Sequence, residues 1–455
     1  MPSSLLHKSS VTDMTQGAVL PEIILFALPL FIGNIFQQLY NTADCFVVGK
    51  ILGRDSLAAI GSTSQLVLAL IGFFSGFSTG AQVVISQSFG AKNLEKLRKA
   101  VHTAVLSSAF ISILLAVSGV LISPLMLRMI RVPENVFDLA DSYLRIYFSG
   151  LVFLILYNIG SSILRALGDS KHPLYFLIFS SAVNIILDLI FVAVLKLGIE
   201  GAAYATVISE AVSVILVFYV LFSSNSVYKI SFKNLKIDFP LFCEMLRLGL
   251  PGAVSSSITA FSNTFMQKYI NVFGAPCIAG WAVFARFDQF LIMPMVSISF
   301  SATTFVSQNF GAKNFARIKT GIILSLKLMS LIIIPASALL FIFAFLLVSF
   351  FISDAESVRY GALFVRYTAP FYIFCGVTML FSQVLRGTGD VIVPTSITFL
   401  GFVVLRQVIL LVSSKISSDF APVAVAYPVV WIVTSAAMII YFKFKFLDRV
   451  FPASE

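Results

Sequence analysis

Two blocks of this sequence occur twice at one fixed spacing. Ser86-Gln87-Ser88-Phe89-Gly90-Ala91-Lys92-Asn93 returns 221 residues later as Ser307-Gln308-Asn309-Phe310-Gly311-Ala312-Lys313-Asn314. Leu164-Arg165-Ala166-Leu167-Gly168-Asp169 returns at the same offset as Leu385-Arg386-Gly387-Thr388-Gly389-Asp390. Pro173 and Pro394 keep that offset, as do Arg145 and Arg366. Near the start of each half, Leu28-Pro29 recurs as Leu250-Pro251 and Asn41-Thr42 as Asn263-Thr264, at an offset of 222. A chain duplicated over most of its length folds as two versions of one unit. In a very apolar chain that pattern points to a secondary transporter with its substrate path between the halves.

The apolar character is pronounced. Of 455 residues, 58% are hydrophobic and 11% charged, and the mean hydropathy is +0.98. A soluble protein carries about 25% charged residues, so this chain belongs in a bilayer. Apolar stretches of the about 20 residues needed to cross fall near 22–48, 58–86, 100–123, 138–164, 173–195 and 200–223, then near 245–272, 278–307, 320–350, 360–385, 393–413 and 421–442. A polar stretch carrying Lys229, Lys233 and Lys236 separates the two groups. The pattern predicts an all-α polytopic membrane protein of about twelve transmembrane helices. They form two six-helix lobes, 1–223 and 243–455, joined by a cytoplasmic connector, 224–242.

Lys and Arg concentrate in alternate loops: Lys92, Lys96, Arg98 and Lys99; Arg165 and Lys171; the connector lysines; Lys313, Arg317 and Lys319; and the tail with Lys443, Lys445 and Arg449. The positive-inside rule puts these loops and both termini in the cytoplasm of a plasma (inner) membrane protein. An even number of spans per half then relates the lobes by a pseudo-two-fold along the membrane normal. The net charge of +10 is spread over loops rather than gathered in one patch, which argues against a nucleic-acid partner. The first 20 residues lack the short apolar core and small-residue cleavage site of a signal peptide. Cys45, Cys243, Cys277 and Cys375 show neither metal nor disulfide spacing. His7, His102 and His172 have no ligand spacing and no Walker A motif is present, so neither an enzyme nor an ATP-driven pump is expected, and no cofactor.

Ionisable groups at bilayer depth are costly and each needs a reason. Tyr40 and Asp44 stand one helical turn apart in the first span, Asn184 and Asp188 in the fifth, and Thr206 and Glu210 in the sixth,. Together they can line a polar pocket in the first lobe that holds a proton or, through oxygen ligands, Na⁺. The alternative is structural: Asp44 or Asp188 pairs with an arginine or caps a broken helix. The repeat is informative here. Asp44 aligns with Met266, Asn184 with Leu405, Asp188 with Ile409 and Thr206 with Tyr427. The second lobe carries instead Arg286, Asp288 and Arg406, which makes Asp288 a substrate or coupling candidate. Pro29 and Pro251 interrupt the first helix of each lobe, as a gate or as a static bend.

These features resemble the multidrug and toxic compound extrusion family of cation-coupled antiporters, over nearly the whole chain. The resemblance rests on the two lobes, the paired Q-x-F-G-A-K-N and L-R-x-x-G-D segments, and Pro29 fifteen residues before Asp44. It implies that Asp44, Asn184, Asp188 and Thr206 form the first-lobe cation site of the prokaryotic branch related to DNA-damage-inducible protein F, with Tyr40 and Asn158 as further cavity residues. Asp288 resembles an acidic residue of the eighth span in the related branch. The seventh-span acid of another bacterial branch is missing, since Ser255 to Val272 contains no Asp or Glu. The resemblance further implies a monomer among membrane lipids that exports small organic cations in exchange for H⁺ or Na⁺ by alternating access. A flippase for lipid-linked substrates, from the same superfamily, is the alternative; the acidic first lobe favours cationic cargo.

Overall fold

The computed structural model describes residues 12–223, 229–230, 236–416 and 420–444. Connector residues 224–228 and 231–235, the leading residues 1–11 with His7, and the tail from 445 lie outside the described residues. Six span-length helices precede the connector: α1 (Val19–Ile51), α2 (Arg54–Gly90), α3 (Leu94–Met129), α4 (Glu134–Ala166), α5 (Lys171–Val194) and α6 (Gly198–Ser223). Six follow it: α7 (Phe239–Asn271), α8 (Gly274–Gly311), α9 (Phe315–Ile342), α10 (Ala355–Gly387), α11 (Ile392–Lys415) and α12 (Ala421–Phe442). Ten of these are long and apolar enough to cross a membrane. The other two, α2 and α7, are 37 and 33 residues long. Most helices run a few residues past their apolar stretches, because charged first turns such as Glu95 to Lys99 are helical without being apolar.

The repeated motifs are connectors between helices. In both copies of the first, the lysine takes a left-handed backbone, Lys92 at φ 53° and Lys313 at φ 57°. The asparagine that follows caps the next helix. Asn93 Oδ1 accepts from the Lys96 N–H (2.9 Å) and Asn314 Oδ1 from the Arg317 N–H (3.2 Å),. Both copies of the second motif stop a helix with a glycine at positive φ, 89° at Gly168 and 92° at Gly389. The next N–H reaches back to close the turn, Asp169 to Leu164 (2.9 Å) and Asp390 to Leu385 (3.0 Å),.

The chain packs as two compact units. One is Leu28–Leu250 with the short segment ending at Asp13; the other is Met14–Ala27 with Pro251 onward. The packing boundary therefore falls between Ala27 and Leu28 inside α1 and between Leu250 and Pro251 inside α7. Relative to the lobes read from the repeat, the leading turns of α1 pack with the second unit and those of α7 with the first.

Within the first unit, α4 approaches α6 through small residues. A Cβ on Gly150 would lie 2.3 Å from Val207 Cγ2, and one on Gly160 would lie 2.1 Å from Val217 Cγ1. Helices without a water-driven hydrophobic force associate by such close packing. The approach places Tyr143, Tyr147, Phe148 and Leu151 in one core cluster of this unit. Gly80 of α2 meets the backbone of α7. A Cβ there would lie 2.3 Å from the Met245 carbonyl oxygen and 2.7 Å from the Gly249 nitrogen. Gly80→Ala is expected to destabilise the protein by about 1–3 kcal/mol, read as a lower melting temperature of the detergent-solubilised protein. An unchanged melt would contradict this close approach.

Candidate functional site

Three helices of the first unit bring polar side chains to one place: α1 with Tyr40 and Asp44, α5 with Asn184 and Asp188, and α6 with Thr206 and Glu210. The Asp44 and Asp188 carboxyl groups lie within hydrogen-bonding reach of one another. Asn184 is fully buried. With its amide nitrogen donating to Asp188 Oδ2 (3.0 Å), its oxygen accepts from the Thr206 N–H (3.3 Å). The Thr206 hydroxyl donates to the Ala202 carbonyl (3.1 Å), and the Tyr40 hydroxyl lies near the Thr206 side chain. Four of the residues expected from the sequence, Asp44, Asn184, Asp188 and Thr206, thus form one connected polar cluster, with Tyr40 at its edge.

Two features give the cluster its chemistry. Among the described residues no lysine or arginine pairs with Asp44, Asp188 or Glu210. In addition, Asp44 Oδ1 and Asp188 Oδ1 are both shielded from solvent and have no hydrogen-bond donor. Buried carboxylate oxygens without donors are strongly disfavoured. Two adjacent carboxylates in a low-dielectric setting also repel unless a positive charge sits between them. The donor set, two carboxylates with an amide and a hydroxyl beside them, suits a hard cation bound through oxygen and equally a shared proton. Immediately after Asp188 the α-helix widens into a π-turn over Leu189–Val194, where the Leu195 N–H reaches the Ile190 carbonyl (2.8 Å). Such turns recur at functional positions.

The remaining candidates are placed differently. Pro29 is buried inside α1. Asn158 turns its amide nitrogen back onto the Leu154 carbonyl of its own helix (2.8 Å). Asp288 lies in the second unit, where it accepts a hydrogen bond from the Tyr372 hydroxyl (2.6 Å) and interacts electrostatically with Arg406. The Arg406 guanidinium also stacks over the Tyr427 ring at 5.6 Å. Asp288 is therefore a partnered carboxylate.

Sequence reasoning passed over Tyr143 and Tyr147 on α4. Their rings stack, with centroids 6.3 Å apart and planes inclined at 21°. Asp44, Asp188 and Glu210 act electrostatically on the Tyr143 hydroxyl, and Glu210 on that of Tyr147. The signal was available, because Tyr143 and Tyr147 repeat the one-turn spacing of the other three pairs.

The second unit fills the same place in the duplicated fold with apolar groups. Met266, at the position of Asp44, is fully buried in a core cluster. Phe364, at the position of Tyr143, belongs to the same cluster, and Ile409 and Tyr427, at the positions of Asp188 and Thr206, pack against it. The Phe364 ring meets Phe420 at 4.4 Å and Trp281 at 4.9 Å between centroids. What is an acidic pocket in one unit is an aromatic core in the other.

A duplicated bundle of membrane helices whose first half holds carboxylates within its spans, with no basic partner among the described residues, is the build of a secondary transporter. The MatE family model matches the chain twice, over residues 29–190 and 251–412. The chain belongs to the MatE family, the multidrug and toxic compound extrusion transporters, and is a multi-pass membrane transporter rather than an enzyme. It is similar to two proteins of Bacillus subtilis (strain 168). The probable multidrug resistance protein YoeA is 31% identical over 438 residues, with 94% of this chain and 95% of that protein covered. The probable multidrug resistance protein YpnP is 28% identical over 400 residues, with 87% and 88% covered. A crystal structure of a MATE protein in complex with MaL6 shares the fold, with a TM-score of 0.89 at 21% identity over 98% of this chain and 99% of that one.

Proposed function

We propose that this protein is a multidrug exporter that expels cationic amphiphiles in exchange for H⁺ or Na⁺, with Asp44 and Asp188 as the coupling site. The observation that carries this reading is the pair of adjacent carboxylates, Asp188 buried and Asp44 half-buried, with no basic partner among the described residues. A structural ion pair would have brought an arginine or lysine to them. The names of the similar multidrug resistance proteins support the cargo class, and the acidic pocket argues for positive charge over lipid-linked diphosphates. The polar residues of α1, α5 and α6 favour the branch related to DNA-damage-inducible protein F. The loop charges favour a plasma-membrane protein with both termini cytoplasmic.

Coupling follows from differential affinity. An ion at Asp44 and Asp188 relieves the repulsion between α1 and α5 and so favours one arrangement of α1 around Pro29. Substrate favours another, and each ligand opposes the other by the same free energy. Tyr40, Asn184 and Thr206 fix the carboxylates; Asn158 is the further polar group of the same unit available to cargo. The test is efflux of a fluorescent cationic dye from proteoliposomes, driven in turn by a pH gradient and by a Na⁺ gradient. At least one gradient is expected to drive uphill dye movement. Movement under neither would overturn the reading.

A further inference from the structure

The repeat offset also pairs two ion pairs that play no part in the pocket. In the second unit Arg317, at the start of α9, meets Glu22 of α1 at 2.8 Å, with side chains only 12% and 13% exposed. In the first unit Lys96, at the start of α3, meets Glu244 of α7 at 3.1 Å, with side chains 41% and 38% exposed. Glu22 and Glu244 are repeat equivalents, 222 residues apart, and Lys96 and Arg317 are equivalents, 221 apart. In each unit a base contributed by one repeat holds the leading turns of the first helix of the other repeat.

A second contact repeats in the same way. Gly80 of α2 lies against the Met245 carbonyl; its equivalent, Ser301 of α8, donates to the carbonyl of Ile23, the equivalent of Met245 (3.1 Å). The second unit adds further ties. Arg317 Nε donates to the Met14 carbonyl (3.0 Å), and its other nitrogens donate to the Gly17 carbonyl (2.7 Å) and the Gln16 carbonyl. From the repeated motif, Gln308 Oε1 accepts from the Met14 N–H (3.0 Å) and Asn309 Nδ2 donates to the Met14 carbonyl (3.0 Å). The turn before α1 is thus clamped by five hydrogen bonds as well as the ion pair. Both anchored segments end at the packing boundary, one residue short of Pro29 or directly before Pro251.

We propose that Glu22–Arg317 and Lys96–Glu244 are a repeat-related pair of anchors that fix the leading turns of α1 and α7 in the opposite unit, with Arg317 the stronger, so that displacement of a unit bends α1 at Pro29 and reaches Asp44. Arg317 and Glu22 are then positioning residues for the coupling helix, although neither touches ion or cargo. The link to Asp44 rests on the proposed function; the anchoring does not. The nearly dry pair with its extra backbone bonds holds more firmly than the half-exposed Lys96 pair, which is screened by solvent.

The test is hydrogen–deuterium exchange of the purified full-length protein, with and without Na⁺ and at two pH values, together with dye efflux. The variants are Arg317→Gln, Arg317→Lys, Glu22→Gln and Glu244→Gln. Exchange within residues 19–27 is expected to rise about tenfold in Arg317→Gln and Glu22→Gln, and less in Arg317→Lys. In Glu244→Gln the rise should fall in residues 239–250 and be smaller. Efflux should drop about tenfold in Arg317→Gln, within the usual range of coupling energies, while ion-dependent protection of residues 40–48 stays as in wild type. Wild-type exchange in 19–27 for both Arg317→Gln and Glu22→Gln would overturn the anchor, and Glu22→Gln carries that arm if Arg317→Gln does not fold. Loosened turns with undiminished efflux would overturn the positioning role. Absence of ion-dependent protection at 40–48 in the wild type would instead count against the coupling site, leaving the anchors to be judged on residues 19–27.

Discussion

Asp44→Asn is expected to reduce gradient-driven dye efflux to background while leaving the protein folded and monodisperse in detergent. Asparagine keeps the size of the side chain and its ability to accept a hydrogen bond. It removes the charge that, with Asp188, holds a cation or proton. Folding should survive because no basic group among the described residues depends on Asp44 for neutralisation, so the substitution leaves no orphaned positive charge. Removing one of two facing carboxylates also relieves their repulsion, so the melting temperature of ion-free protein should hold or rise. Asp188→Asn should behave alike. Efflux at the wild-type rate from correctly inserted Asp44→Asn protein would make Asp44 structural and direct attention to Asp288.

Met266→Asp is expected to do the reverse and abolish folding. Met266 stands at the repeat position of Asp44 but has no exposed surface and lies within the apolar cluster of Phe284, Phe364 and Phe420. A carboxylate placed there has no partner, and an uncompensated buried charge costs about 3–5 kcal/mol, comparable with the whole stability of many domains. Met266→Leu conserves volume and should cost under about 1.5 kcal/mol. The measurements are the yield of monodisperse protein by gel filtration and its thermal melt. A well-folded Met266→Asp protein would show that the second unit keeps a latent polar pocket, contrary to the packing described.

The two substitutions also show why part of this molecule was legible in its sequence. Hydropathy alone located the spans, because in lipid every backbone polar group must be satisfied within the helix. The one-turn pairs Tyr40/Asp44, Asn184/Asp188 and Thr206/Glu210 named three helices that prove to share a cluster, since residues four apart lie on one helix face. Tyr143 and Tyr147 escaped because tyrosine in a span is ambiguous between an interfacial anchor and a pocket wall. Whether Asp288 had a partner could not be read, because Tyr372 lies 84 residues away and only folding brings it near. The anchors escaped for another reason. Lys96 and Arg317 sit among the loop charges that set orientation, and that role leaves their partners undetermined. Applying the repeat offset to the acidic residues as well as to the motifs aligns Glu22 with Glu244 and exposes the pairing.

The most direct test of the coupling site is ion binding by the purified protein. Substrate-triggered proton release and Na⁺ binding are to be measured side by side for wild type, Asp44→Asn, Asp188→Asn and Asp288→Asn. Wild type and Asp288→Asn are expected to bind an ion and release it when dye is added, whereas Asp44→Asn and Asp188→Asn lose both. Ion release that persists in Asp44→Asn and disappears in Asp288→Asn would move the coupling site to the second unit and contradict the account.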